Sequence, residues 1–142
     1  MIIYILNFLL TILIGSMIFF MAVVSPSVFA TLSTNASSKF LRTIFPRMFL
    51  FGFIISVIAL IFSMLSNDLF NSIVLVIISL SFLINRNYLT PLINKFRDQE
   101  LEGDSKAVKN FKIMHLLSVL LFVINFTLLI LLVILNYINY FF

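Results

Sequence analysis

The sequence predicts an all-α integral membrane protein, folded as an antiparallel bundle of four transmembrane helices. Three observations carry that expectation. Of 142 residues, 63% are hydrophobic and only 10% are charged, too few to build a water-facing shell. The apolar residues also fall in blocks: residues 2–24, 48–65, 73–85 and 113–142 hold no Asp, Glu, Lys or Arg. Finally, all nine Lys and Arg lie in two connections, residues 39–47 and 86–112. A helix rises about 1.5 Å per residue and the hydrocarbon layer is about 30 Å thick, so about 20 residues cross it. The spans are accordingly expected near residues 3–25, 46–65, 70–90 and 112–138, in a single domain covering residues 1–142.

The first span could be mistaken for a signal peptide, since Val28-Phe29-Ala30 resembles a cleavage site. No Lys or Arg precedes Lys39, however, and the apolar run exceeds an h-region of about 7–15 residues. It reads as a retained helix. Ser25-Pro26 should end or kink it, because proline removes a helical donor and restricts the residue before it. The connection Ser66-Asn67-Asp68 is short, so spans two and three should be adjacent and antiparallel. Thr90-Pro91 should interrupt span three, followed by a short surface helix in LINKFRDQELEGD. Gly103 should stop that helix, and Asp104 or Ser105 should cap span four.

Basic residues stay on the cytoplasmic side of membrane proteins, which places both termini outside. The net charge of +4 then reflects topology and attraction to anionic lipid, with no role for nucleic acid. Tyr4, Tyr137, Tyr140, Phe141 and Phe142 should form an outer aromatic belt. The expected location is a bacterial inner (plasma) membrane. With no cysteine, disulfides and thiolate chemistry are excluded.

The two basic connections resemble one another. Ser38-Lys39-Phe40-Leu41-Arg42-Thr43 precedes Phe45 and Met48, and Ser105-Lys106-Ala107-Val108-Lys109-Asn110 precedes Phe111 and Met114. Each follows an [ST]-Pro pair. The pattern suggests a tandem duplication of a helical hairpin about an axis along the membrane normal; chance likeness between two basic loops is the alternative.

Small and polar residues mark expected packing seams, because lipid tails give helices no hydrophobic reason to associate. On span two these are Gly52, Ser56, Ala59 and Ser63; on span one, Asn7, Thr11, Gly15, Ala22 and Ser25. On span four, His115, Ser118, Asn125 and Asn136 share a face that should look inward.

The pieces GSMIFFMAVVSPSVFATL (15–32), FPRMF (45–49), INRNYLTP (84–91) and FKIMHLLSVLLFVIN (111–125), in that order, resemble the transmembrane protein 205-like family, defined by a membrane domain of unknown function. The resemblance spans nearly the whole chain and implies a four-helix membrane protein without an established reaction. The residues carried over are Pro26, Phe29, Phe45, Pro46, Asn87, Pro91, Phe111, His115, Ser118 and Asn125.

His115 is the chain's single histidine, about one turn into span four. Arg47, Asn85, Arg86, Asn87 and the Ser25-Pro26 turn should lie at similar depth, so these groups are expected to converge on one inner mouth. That mouth would bind a small molecule or ion, with His115 able to change charge near neutral pH. The structural alternative is that His115 and Asn87 satisfy backbone groups freed by the prolines while the arginines reach for lipid phosphates. Met17, Met21 and Met114 with His115 could suit Cu(I), or His115 could ligate haem; no resident cofactor is expected. The five acidic residues all lie outside the spans, and no HExxH, GxSxG or phosphate-binding glycine loop occurs, so no enzyme activity is expected. Expected partners are membrane lipids, a small-molecule or ion substrate, and further copies of the chain or partner helices. A non-catalytic scaffold or assembly factor is the competing reading.

Overall fold

A computed structural model describes the backbone of residues 1–141 and the side chains of residues 1–139. It contains α1 (Ile2–Phe19), α2 (Ser25–Thr31), α3 (Thr34–Leu65), α4 (Leu69–Ile84), α5 (Thr90–Leu101) and α6 (Ser105–Phe141). One π-helical turn, Phe20–Val24, joins α1 to α2, and another, Asn85–Leu89, joins α4 to α5. The result is four continuous helices, Ile2–Thr31, Thr34–Leu65, Leu69–Leu101 and Ser105–Asn139 over the described side chains, each long and apolar enough to cross a membrane.

The prolines explain the π turns. Pro26 and Pro91 offer no N–H, and an α-helical proline ring collides with the carbonyl four residues back. In each π turn the backbone instead bonds five residues back, from the Ser25 N–H to the Phe20 carbonyl and from the Thr90 N–H to the Asn85 carbonyl. Thr90 Oγ1 also donates to the Asn85 carbonyl at 2.7 Å. Neither [ST]-Pro pair ends its helix; each directly follows a π turn within a continuous helix. The two turns have equal length and directly precede their [ST]-Pro pairs, with an offset of 65 positions from Phe20 to Asn85 and from Pro26 to Pro91. Pro46, at the expected start of the second span, lies well inside α3, which begins at Thr34.

Turn chemistry closes the connections. Ser33 caps α3 by accepting from the Ala36 N–H. Asp68 caps α4 by accepting from the Asn71 N–H at 3.0 Å. Asn67 occupies the left-handed region at φ 54°, which asparagine tolerates. Gly103, at φ 97°, sits where only glycine is unstrained, and Asp104 Oδ1 caps α6 by accepting from the Lys106 N–H at 2.8 Å.

Each helix packs on its sequence neighbours, and α6 closes the ring on α1; α1 does not approach α4, nor α3 α6, within 8 Å between Cα atoms. All nine Lys and Arg therefore lie towards one end of the bundle, hereafter the basic end, and the chain termini lie at the other. Leu6, Leu10, Leu13 and Met17 of α1 form the core with Phe49 and Ala59 of α3, Leu75, Ile78 and Phe82 of α4, and Leu129 and Leu132 of α6. The α3 seam is as expected: Gly52, Ser56, Ala59 and Ser63 are all buried, and Ser79 Oγ donates to Ser56 Oγ at 2.9 Å.

The α1 seam is not. Thr11, Gly15 and Ala22 are exposed, and a β-carbon on Gly15 would meet nothing within 4 Å. The buried face of α1 carries its large apolar side chains instead. In an apolar helix both faces suit lipid, so side-chain size alone does not decide which one packs. Of the expected aromatic belt, Tyr4 and Tyr137 are exposed; the side chains of Tyr140 and Phe141, and all of Phe142, lie outside the described residues.

Candidate ligand cavity at the basic end

The core fills the half of the bundle nearest the termini. At the basic end a cavity of about 720 Å³ replaces it, bounded by the π turn and α2, the first half of α3, α5 and the first half of α6. Its body is apolar, lined by Phe20, Phe45, Met48, Phe49, Phe122 and Val123, with buried Ser37, Thr90 and Ser118 among them, and its rim carries Arg42, Asn94, Arg97 and His115.

Each wall follows from helical periodicity. On α6, Phe111, His115, Ser118 and Phe122 fall at steps of four, three and four, which places them on one stripe. On α3, Leu41, Arg42, Phe45, Met48 and Phe49, at steps of one, three, three and one, also share a face. The ring of Phe45 meets Phe20 at 5.2 Å and Phe49 at 6.1 Å between centroids, fixing the aromatic wall. His115 lies parallel to Phe111, with 5.9 Å between centroids and 7° between planes.

Two ion pairs brace the rim. Arg42 grips Asp98 through both terminal nitrogens, at 3.1 and 2.5 Å, tying α5 to α3. Both groups sit on extensions beyond the apolar crossing stretches. Hydrogen bonding to Arg42, reinforced by its charge, holds the Asp98 carboxyl below its ordinary range. Arg97 donates to Glu100 at 2.7 Å, and its guanidinium carbon stands 5.4 Å from the centre of the Phe111 ring.

Only part of the expected mouth assembles. Phe29, Phe111, His115 and Ser118 line the cavity; Arg47, Arg86, Asn87, Asn125, Pro26, Pro46 and Pro91 do not. Arg47 is exposed because Phe45, Met48 and Phe49 occupy the inward stripe of α3. Asn87 stands midway between the buried Asn85 and Leu89 and is therefore exposed, accepting a 3.2 Å hydrogen bond from Arg86. The shared face of α6 should carry His115 fully inward with Ser118, Asn125 and Asn136; those three are buried, whereas His115 is exposed at the rim. Ser118 donates to Asn85 Oδ1 at 2.6 Å.

Asn125 lies two turns beyond Ser118 and is 1% exposed, with neither Oδ1 nor Nδ2 partnered among the described residues. The supposed methionine set is dispersed: Met17 belongs to the core, Met21 lines the cavity and Met114 does neither. Among the described residues no group of three or more His, Asp or Glu could hold a metal ion.

Sequence reasoning missed Arg42, Arg97 and Phe122 as cavity residues. Phe122 was within reach, since it lies seven residues after His115 on the same stripe. Arg97 fell in the expected short surface helix, and nothing local to Arg42 or Asp98 announces their pairing across 56 positions.

The fold and cavity define a four-helix bundle built to span a membrane, with a ligand-sized hollow at one end. The chain matches, over residues 8–102, the family model described as a domain of unknown function (DUF4149). It belongs to that family. The matched stretch runs through α1 to α5, so α6 with His115 and Ser118 lies beyond it. No curated protein and no solved structure matches the chain.

Proposed function

We propose that this is a non-enzymatic membrane protein that holds a small ligand in the basic-end cavity, as a transport or ligand-binding component. The observation that carries the reading is the cavity itself. Its volume of about 720 Å³ falls within the range of single-ligand pockets, about 300–1,000 Å³. A mainly apolar wall with a few converging polar groups is the usual make-up of such a site. The reading places the basic end in the cytoplasm and both termini outside a bacterial inner membrane, on the asymmetry of Lys and Arg. The likeness to the transmembrane protein 205-like family is part of the same proposal and adds no reaction to it.

Native mass spectrometry of the purified protein in mild detergent tests the reading. A stoichiometric bound species, lost or weakened in His115→Gln, is the expected result. A protein carrying only a broad spread of annular lipid would count against it.

One observation favours a second reading, a scaffold or self-associating component. Thr11 and Gly15 of α1 and Ala22 of the π turn that follows are outward small residues, with open space over Gly15. Such residues allow a partner helix to approach closely. A dimer in detergent that Gly15→Leu converts to monomer would support it.

A further inference from the structure

The cavity has a side opening. α1 packs along α6, but beyond Phe19 the chain departs: no residue of the Phe20–Val24 turn or of α2 comes within 8 Å of α6 between Cα atoms. The departure begins at the π turn and Pro26, two features at which helices kink, and that is where the cavity begins. Met21 and Phe29 flank one side of the gap and Val119 and Val123 the other, all lining the cavity and all exposed, at 41%, 65%, 43% and 49%.

Depth decides what the gap faces. Lys112 is the last formally charged residue of α6. Val119 and Val123 lie seven and eleven positions beyond it, about 10 and 16 Å along the axis at about 1.5 Å per residue. The gap therefore runs from the basic-end leaflet to about the middle of a hydrocarbon layer about 30 Å thick. A ligand reaching the cavity this way comes from the lipid.

Charge decides what its head carries. Two guanidinium groups, Arg42 and Arg97, and the His115 imidazole line the rim, and no carboxylate does. Asp98 and Glu100 hold those guanidinium groups from outside the cavity. Arg97 uses one terminal nitrogen on Glu100, and its remaining N–H groups have no partner among the described residues.

We propose that the cavity takes a single-chain amphiphile with an acidic head group, admitted from the adjoining leaflet between α2 and α6. The head meets Arg97 and Arg42, and the tail lies along Phe45, Phe49 and Phe122. A two-chain phospholipid is too large for a hollow of this size. The inference rests on the ligand-binding reading above and adds the ligand class and its route.

The test uses the full chain in lipid nanodiscs with three photoreactive probes: a diazirine-bearing palmitic acid, its methyl ester, and a diazirine-bearing lysophosphatidic acid. Adducts are mapped by peptide mass spectrometry. At least one acid should label Met21, Phe122 and Val123 about tenfold above lipid-facing Phe8 and Ile77, the preference expected from one charged hydrogen bond. The better of the two acids identifies a carboxylate or a phosphate head.

Arg97→Gln should lower labelling by the acid about tenfold and leave the ester unchanged, with Arg97→Lys partly restoring it. Val119→Trp, at an exposed position, should lower labelling by every probe. An ester that labels as well as the acids would overturn the acidic head while leaving the cavity a ligand site. A water-soluble ligand found by native mass spectrometry, with no cavity labelling by the probes, would overturn the lipid route alone. Labelling spread evenly over the lipid-facing surface, with no bound species in mass spectrometry, would overturn both readings.

Discussion

Gly52 of α3 faces the ring of Phe82 of α4 so closely that a β-carbon on residue 52 would stand 2.7 Å from Phe82 Cε1 and 2.8 Å from Cζ. Phe82 is 2% exposed and belongs to the core, so its ring has no free space to take. Gly52→Ala should therefore destabilise the bundle by about 1–3 kcal/mol through overpacking. Thermal unfolding in detergent measures it. Pairing the change with Phe82→Leu should recover most of the loss; a melting temperature unchanged in Gly52→Ala would mean the helices can slide apart at no cost.

At the other end three asparagines link three helices. Asn136 Nδ2 donates to Asn7 Oδ1 at 2.8 Å, and Asn71 Nδ2 donates to Asn136 Oδ1 at 2.7 Å and to Asp68 Oδ2 at 2.6 Å. Interhelical hydrogen bonds in membranes contribute about 0.6 kcal/mol on average and up to about 1.7. Asn136→Leu removes two of them and should cost about 1–2 kcal/mol. The same melt, run beside Thr11→Val at an exposed site, separates this effect from general handling.

Asn125 presents the opposite case. Its amide is buried without a partner, and an unsatisfied buried polar group costs about 1–3 kcal/mol. Asn125→Leu, which keeps the branching but carries no polar atom, should raise stability by up to a comparable amount. If the variant instead melts lower, Asn125 is bonded in the working protein to something beyond its own chain, and ligand binding should fall with it.

The Arg42–Asp98 pair predicts a pH response. The carboxyl is held below its ordinary range by the Arg42 hydrogen bond, so its contribution is present above the unfolded value, near 3.9, and lost as pH falls through the lower folded value. Asp98→Asn should melt slightly below the wild type at pH 7 and at pH 5. The difference should vanish in strong acid. A gap between the two proteins that persists in strong acid would mean that Asp98 acts through packing rather than charge.

Much of this architecture was legible in the chain. The four uncharged blocks set the spans, because a helix must bring about 20 apolar residues to cross hydrocarbon. Gly103 and Asp104 marked the start of α6, and the seam at Gly52, Ser56, Ala59 and Ser63 marked the contact face of α3. The site was legible in part. The stripe from Phe111 to Ser118 reached the cavity, but Arg47, Arg86 and Asn87 were placed there by depth alone, and depth says nothing of direction around a helix. A π turn adds a residue to the helical turn and rotates the rest of the helix about its axis. Those rotations could not be read from the Ser-Pro and Thr-Pro pairs that accompany them.

The sequence by itself determined that the chain carries four helices long and apolar enough to cross a membrane and that its charge gathers at one end. These are consequences of composition and of the cost of moving charge into hydrocarbon. Only the tertiary structure decided which face of α1 is buried, that Arg42 meets Asp98, and that the chain leaves α6 beyond Phe19, beside the cavity. In water an apolar stripe announces the buried side of a helix. In hydrocarbon both sides are apolar, and the choice falls to packing shape and a few polar contacts between residues distant in the chain.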